Sequence, residues 1–228
     1  FLQFFKNHGL LGVTTQHQWL TVSNGSINYV QKIQKHISGK IFLNSDVVKV
    51  KRVDGKVELH HENGRVSHYD KVVLALHAPD ALKLLDDASE EESEILSAFA
   101  YKENDALLHT DKNALYPDKN IYAAWNYKSN EDKDTVTLSY WINRLQNLQT
   151  KKEYFVSLNE IDTIGEVIER ISYEHPQFNT LAIRAQESRD IINGQNNTYY
   201  GGAYWRYGFH EDGLWSANTI AEKFGCAL

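Results

Sequence analysis

The chain has one cysteine, Cys226, in 228 residues. No intrachain disulfide can form, and this suits a reducing compartment. No run of eighteen apolar residues occurs, so no membrane-spanning helix is predicted. No segment reads as a signal peptide, and the expected location is cytoplasmic. The chain opens Phe1-Leu2-Gln3 without a methionine, and its true start is expected to lie upstream. Zinc-type spacing is missing: there is no HExxH, and His60-His61 reads as an exposed pair on a hairpin, so no metal site is predicted. There is no GxSxG elbow and no P-loop. The net charge is −6 and no basic cluster offsets it, which argues against a nucleic-acid partner. Glu211 and Asp212 are adjacent and point different ways on most backbones, so no carboxylate dyad is expected, and the sequence does not identify the catalytic residue. The absence with the widest consequence is that no G-x-G-x-x-G follows a strand. That fingerprint seats a dinucleotide pyrophosphate on a helix N-terminus.

What is present suffices for a buried core, with 42% hydrophobic and 12% aromatic residues. Residues 1–12 read as the end of a helix whose phenylalanines need a packing partner. Trp19, in an extended connector, reads as a packing anchor. After Asn24-Gly25-Ser26, Ile27, Val30, Ile33 and Ile37 share one helical face, and Gly39 ends the helix. The period then changes to two. Ile41–Leu43 reads as a short strand. Val47 to Tyr69 reads as a three-stranded meander with hairpins at Asp54-Gly55 and Asn63-Gly64. Lys71–Leu76 is a continuous apolar run of the kind buried on both faces. Two helices follow, 79–85 and 89–99, the second opened by the capping box Ser89-Glu90-Glu91-Glu92.

Strand-like runs then cover 106–109, 121–127, 135–141, 154–158 and 167–173. Tyr122, Trp125, Tyr127, Tyr140 and Trp141 fall in them and suggest an antiparallel sheet with a broad aromatic face, suited to floor a substrate cavity. Each is equally readable as plain sheet core. His109, Asn126 and Asn143 are polar groups among these aromatics and each needs a partner. His109, Trp125, Trp141 and Asn143 are therefore candidates for the substrate pocket. A helix over 181–192 ends at Asn193-Gly194.

Tyr199–Ala217, YYGGAYWRYGFHEDGLWSA, reads as a short strand, a glycine turn and a helix start. Gly201, Gly202, Gly208 and Gly213 permit close backbone approach or positive φ. Asp212 is the predicted N-cap of a helix running to about Phe224, with free amides at Gly213 and Leu214. Such a helix start suits a partial negative charge. A glycine-rich turn into a terminal helix, with no ligand, accounts for the same spacing.

GGAYWRYGFHEDGLWSA resembles the C-terminal flavin motif of the flavin-containing amine oxidase superfamily, in its bacterial amine-oxidase-like or predicted NAD/FAD-binding branch. FFKNHGLL at 4–11, QHQWLTVSNGSINYV at 16–30, LHTD at 108–111, AAWNY at 123–127, SYWINRLQ at 139–146 and YEHPQF at 173–178 resemble the same branch in order. The resemblance implies an α+β, α/β-like fold: the C-terminal part of a two-domain FAD-dependent oxidoreductase with a mixed or antiparallel substrate-domain sheet and helices. It implies that residues 22–80 and 195–228 form what remains of the FAD-binding domain, and that 1–21 and 81–194 form the substrate-binding domain. Val47 would lay its backbone against the adenine. Gly202, Ala203 and Tyr204 would pass the ribityl chain. Phe209 and His210 would lie near the isoalloxazine, His210 touching cofactor and substrate alike, with Glu211 and Asp212 beside them. The helix start at Gly213–Leu214 would face the pyrimidine edge and stabilise negative charge on reduction.

The chain departs from the branch at Asn24, where the first of two glycines is usual. It departs again at Ala217, where glycine is more frequent, and at Trp215, which is bulky for a crowded site. The resemblance implies FAD as cofactor and hydride transfer from a hydrophobic or amine-bearing small molecule. The missing fingerprint leaves a second reading open, a non-catalytic ligand- or partner-binding module with a relic flavin motif. A homodimer is possible in either case.

Overall fold

The computed structural model describes residues 2–9, 11–12, 20–129, 136–159 and 164–226; Trp19 lies outside them. In chain order the elements are α1 (Leu2–Asn7), α2 (Ile27–His36), β1 (Val47–Val53), β2 (Lys56–His61), β3 (Val66–Tyr69), β4 (Val72–Leu74), α3 (Ala78–Leu84), α4 (Glu90–Ser97) and β5 (Tyr101–His109). Then come β6 (Trp125–Ser129), β7 (Val136–Trp141), α5 (Ile142–Gln146), β8 (Phe155–Leu158), β9 (Val167–Pro176), α6 (Thr180–Glu187), α7 (Arg189–Ile192), β10 (Thr198–Tyr200) and α8 (His210–Lys223). The chain is α+β, as its residue pattern predicts. Among the described residues no helix is long and apolar enough to cross a membrane. Backbone contacts divide the chain into two units, 1–40 with 104–173 and 41–103 with 174–228.

The first unit is built on a five-stranded sheet in the order β6-β7-β8-β5-β9, antiparallel across β6–β7, β7–β8 and β8–β5. Its aromatic residues do not share one broad face. Trp125 opposes Tyr140 in register and Tyr127 opposes Leu138. Tyr140 and Trp141 are consecutive in β7, so a period of two sends them to opposite faces. Trp125 and Tyr127 remain exposed. Trp141 turns the other way, and with Tyr122 it packs on the buried cluster of Ala114, Leu115 and Phe155. In the same unit α2 is amphipathic as its spacing predicts, but Ile27, Val30, Ile33 and Ile37 are all exposed.

The second unit holds the larger core. β1, β2 and β3 form the expected antiparallel meander, with Val50 and Val57 fully buried. Asp54 and Gly55 both take positive φ, 49° and 72°, as a type I′ hairpin demands. Residues 41–43 are not a strand but an irregular, exposed lead-in to β1. His61 is buried rather than exposed: its Nδ1 lies 2.6 Å from the Ser45 carbonyl oxygen and its Nε2 3.2 Å from Ser67 Oγ. The 71–76 run forms only a three-residue strand, β4, paired in parallel with β10. With one neighbour instead of two it is not buried on both faces, and Val73 is 45% exposed.

One carboxylate ties this unit together. Glu92 is the third residue of α4 and completes its capping box, accepting from the Ser89 amide at 2.9 Å while Ser89 Oγ accepts from the Glu92 amide at 3.1 Å. The same carboxylate accepts from both Arg52 Nη atoms, at 2.7 and 3.1 Å, and from the Tyr200 hydroxyl at 2.5 Å. Arg52 stands on β1 and Tyr200 on β10, so one buried charge joins two strands to a helix start. Arg52 is itself held by the Asp87 carbonyl and carboxylate, both at 2.8 Å. Burial alone would raise the Glu92 carboxyl, but the Arg52, Tyr200 and Ser89 hydrogen bonds outweigh it and hold the group below the ordinary carboxylate range. Burial and the same carboxylate push the Tyr200 phenol far up.

Glu92→Ala leaves the buried Arg52 with only the part-exposed Asp87 as a counter-charge. It should cost about 3–5 kcal/mol of stability, the usual penalty for removing one member of a buried pair, measured by denaturant unfolding. A depressed carboxyl contributes stability that is complete above its unfolded pKa and is lost as pH falls through the lower folded value. Wild type should therefore lose stability below the ordinary glutamate range, and Glu92→Gln should flatten that part of the pH–stability curve.

Candidate functional site

Beyond β10 the chain is held by backbone and side-chain bonds at nearly every residue. The Tyr200 amide donates to Asn193 Oδ1 at 2.8 Å, and Gly201 continues the ladder to the Leu74 carbonyl at 3.0 Å. The Gly202 amide donates to the buried Ser216 hydroxyl at 3.0 Å. The Trp205 indole donates to the Tyr200 carbonyl at 2.8 Å, and Gln186 Nε2 donates to the carbonyls of Tyr204 and Arg206 at 2.8 and 2.6 Å. Gly208 takes a φ of +90°, and an added Cβ there would stand 3.3 Å from the Phe178 ring.

α8 begins at His210, one turn earlier than predicted. Asp212 is not its N-cap. As the third helical residue, its buried carboxylate reaches back to accept from the Phe209 amide at 2.9 Å and the Tyr207 amide at 3.2 Å. This is the carboxylate half of a capping box, the half a phenylalanine at the cap position permits. The Gly213 amide is not free but bonded to the Phe209 carbonyl at 3.2 Å. Trp215, unexpected for its bulk, lies between two guanidinium groups, Arg189 at 4.6 Å and Arg206 at 5.0 Å from its ring centre. It is absent from the cavity wall described next.

The second unit contains a cavity of about 900 Å³, within the range of small-molecule and cofactor sites. One wall is β4 and the residues after it; another is the 201–204 segment; a third is the face of α8 carrying Gly213, Ala217, Ile220, Ala221 and Phe224. Small residues make this wall smooth. Gly213 has nothing within 4 Å of where a Cβ would stand, so the space beside it is open. At Gly202, by contrast, a Cβ would lie 2.4 Å from the Tyr204 ring, so glycine is required for Tyr204 to pack where it does. The Tyr204 side chain is buried and meets Phe99 edge-on at 4.8 Å.

The polar part of the wall is one the sequence did not single out. His77 stacks on Tyr101 at 4.3 Å between centroids, and its Nδ1 lies 3.4 Å from Glu174 Oε2 and 3.8 Å from Asp80 Oδ2. A ligating atom of each of His77, Asp80 and Glu174 lies within 4.8 Å of the others. All three are substantially exposed, and Asp80 is also paired with Lys83 at 2.8 Å. Burial first, then the charges of Asp80 and Glu174, push the Tyr101 phenol up to about 12. Burial likewise raises the Tyr204 phenol. Both are neutral phenols at ordinary pH.

Of the residues singled out in sequence, Gly202, Ala203, Tyr204 and Gly213 line the cavity. Phe209, His210, Glu211 and Leu214 are exposed at the start of α8 and are not on its wall, and Asp212 is the buried capping group. Val47 opens β1 and packs against the core. His109, Trp125, Trp141 and Asn143 belong to the other unit. There His109 is fully buried, with Nε2 bonded to Ser157 Oγ at 2.9 Å and Nδ1 accepting from the Asp111 amide at 3.2 Å. Asn143 is a structural brace, donating to Thr150 and the Lys152 carbonyl and accepting from the Tyr154 amide. His109 and Trp141 both stack on Phe155, while Trp125 packs on Tyr140. No signal in the sequence joined His77 to Glu174, which are brought together only by the fold.

Among solved structures the chain is similar to a putative protoporphyrinogen oxidase from Exiguobacterium sp. 255-15, with 16% identity over 98% of this chain and 57% of that one, at a TM-score of 0.64. It is also similar to a CLA-producing fatty acid isomerase from P. acnes, with 15% identity over 88% of this chain and 52% of that one, at a TM-score of 0.62. A redesigned putrescine oxidase follows, with 10% identity over 88% of this chain and 53% of that one, at a TM-score of 0.60. These identities establish the fold alone, and the chain spans about half the length of each structure. No curated protein matches it by sequence. Residues 2–153, well over half the chain, match the family model described as flavin containing amine oxidoreductase, and the chain belongs to that family. The glycine-rich segment at 199–217 lies beyond the matched residues.

Gly202→Ala drives a Cβ into the Tyr204 ring and should destabilise the chain by about 1–3 kcal/mol, the usual cost of overpacking. Gly213→Ala meets open space in a helix and should stabilise it by about 0.5–1 kcal/mol. Paired denaturant titrations of the two variants check this opposition.

Proposed function

We propose that this chain supplies the flavin-facing wall and substrate-side sheet of an FAD-dependent, amine-oxidase-like oxidoreductase. Bound FAD would supply the acceptor for a hydride taken from a hydrophobic or amine-bearing small molecule. The observation that carries the reading is the smooth wall made by Gly201, Gly202, Gly213 and Ala217 around the 900 Å³ cavity. A planar ring system needs such walls for close approach, and the open space beside Gly213 fits it.

In this reading residues 22–80 and 195–228 form the cofactor side and residues 1–21 and 81–194 the substrate side. Gly202, Ala203 and Tyr204 line the passage of the ribityl chain. The start of α8 directs its positive dipole end at the ring edge that gains negative charge on reduction. Glu211, Phe209, His210 and Leu214 border that edge, and Val47 lies at the adenine end. Tyr101 and Tyr204, kept neutral by burial, can donate a hydrogen bond but cannot serve as bases at ordinary pH. The missing G-x-G-x-x-G within this sequence favours a second reading, a ligand-binding module that retains the flavin-side wall without catalysis.

The test is a titration with FAD followed by flavin fluorescence and visible absorption. Wild type should quench and perturb the flavin, and Gly213→Leu, which fills the space beside the helix start, should weaken binding at least tenfold without lowering stability. Equal affinity in the two proteins would place the flavin elsewhere. Loss of all binding in wild type would leave the module reading.

A further inference from the structure

We propose that the buried face of β6 and β7 holds an internal water molecule between Ser139 and Asn126. A buried hydrogen-bond chain leads to this pair. The Asp111 amide donates to His109 Nδ1 at 3.2 Å, so that nitrogen carries a lone pair and the proton of the neutral ring is on Nε2. His109 Nε2 therefore donates to Ser157 Oγ, 2.9 Å away. Ser157 Oγ and Ser139 Oγ are bonded at 2.6 Å, and either hydroxyl can be the donor. Ser139 Oγ makes no second hydrogen bond among the described residues, so it keeps a proton to give when Ser157 donates to it, and a lone pair to accept with when it donates to Ser157.

The group directly across the sheet supplies the complement. Asn126 opposes Ser139 in register. Its Nδ2 donates to the Ala123 carbonyl at 2.9 Å, which fixes the amide's orientation and leaves Oδ1 as an acceptor. Asn126 Oδ1 is buried without a protein partner among the described residues. The two side chains are only 3% and 2% exposed, so bulk solvent does not satisfy them. Directly opposed positions on one face are about 4.5–5.5 Å apart at Cβ, a span that a bridging water fits. A third buried group without a protein partner, the Trp141 indole N–H, lies two residues on along the same face.

A hydroxyl and an amide oxygen with unused hydrogen-bonding capacity in one cross-strand pair, both out of reach of solvent, are a polar site of the kind that retains an internal water. A water bonded to the Ser139 hydroxyl and donating to Asn126 Oδ1 completes the chain from the Asp111 amide to the Ala123 carbonyl. It would also fix His109 as a rigid, satisfied part of the sheet.

Two measurements test this. A crystal structure that resolves ordered solvent should show a density peak within hydrogen-bond reach of both Ser139 Oγ and Asn126 Oδ1. A direct bond between these two atoms, or no peak, overturns the proposal. Water-nucleus relaxation dispersion should count one fewer long-lived internal water in a Ser139→Ala, Asn126→Leu variant than in wild type, and an unchanged count likewise overturns it. If circular dichroism shows that the variant is unfolded, the wild-type density decides alone.

Discussion

The carboxylate of Glu92 is the charge on which the cavity-bearing unit depends. It is almost fully buried, so it loses the hydration that would stabilise it in water. Four hydrogen bonds replace that hydration: two from Arg52, one from Tyr200 and one from the Ser89 amide. None of these partners is near Glu92 in sequence except Ser89. The charge can be buried only when β1, α4 and β10 are in place together. A well-packed apolar group could match its contribution to stability, but it would not specify which strand meets which helix so narrowly.

From this anchor the geometry runs to the cavity through one strand. Tyr200 spends its hydroxyl on Glu92 and its amide on Asn193, and the next two residues are the glycines of the wall. Gly202 is then tied to α8 through Ser216, and α8 is started by the carboxylate of Asp212. A position shift in β10 would be passed on to both the glycine segment and the helix face opposite. In physical terms the wall is preorganised: its small residues leave room for a ligand, while bonds on either side prevent that room from closing.

Much of this was legible in sequence, for reasons that can be named. The Asp54-Gly55 turn, the Ser89 capping box and the α2 periodicity are local signals, and local chemistry decides them. Gly202 is legible as a close-approach position because glycine spacing is itself a backbone statement, whereas Gly213 has open space beside it. The start of α8 reads one turn late in sequence because a capping carboxylate at the third helical residue has the same composition as one at the cap. The 71–76 run misled because an apolar strand reads alike whether it has one neighbour or two. His61 reads as an exposed hairpin residue in sequence because its buried partners, Ser45 and Ser67, are set by tertiary approach. His77 with Glu174, and Arg52 with Glu92 and Tyr200, were not legible at all, since only folding brings residues so far apart in sequence into contact. His109, a polar group among aromatics, needs a partner, and it has one in Ser157 within the sheet.

The most direct test of this account is amide hydrogen exchange in wild type and Glu92→Gln under native conditions. If the buried charge holds the cavity wall, the amides of Tyr200, Gly201 and Gly202 should exchange faster in the variant, while those of β7 and β8 in the other unit keep their protection. Unchanged protection at Tyr200–Gly202, or an equal loss in both units, would contradict the claim that the site is organised through Glu92.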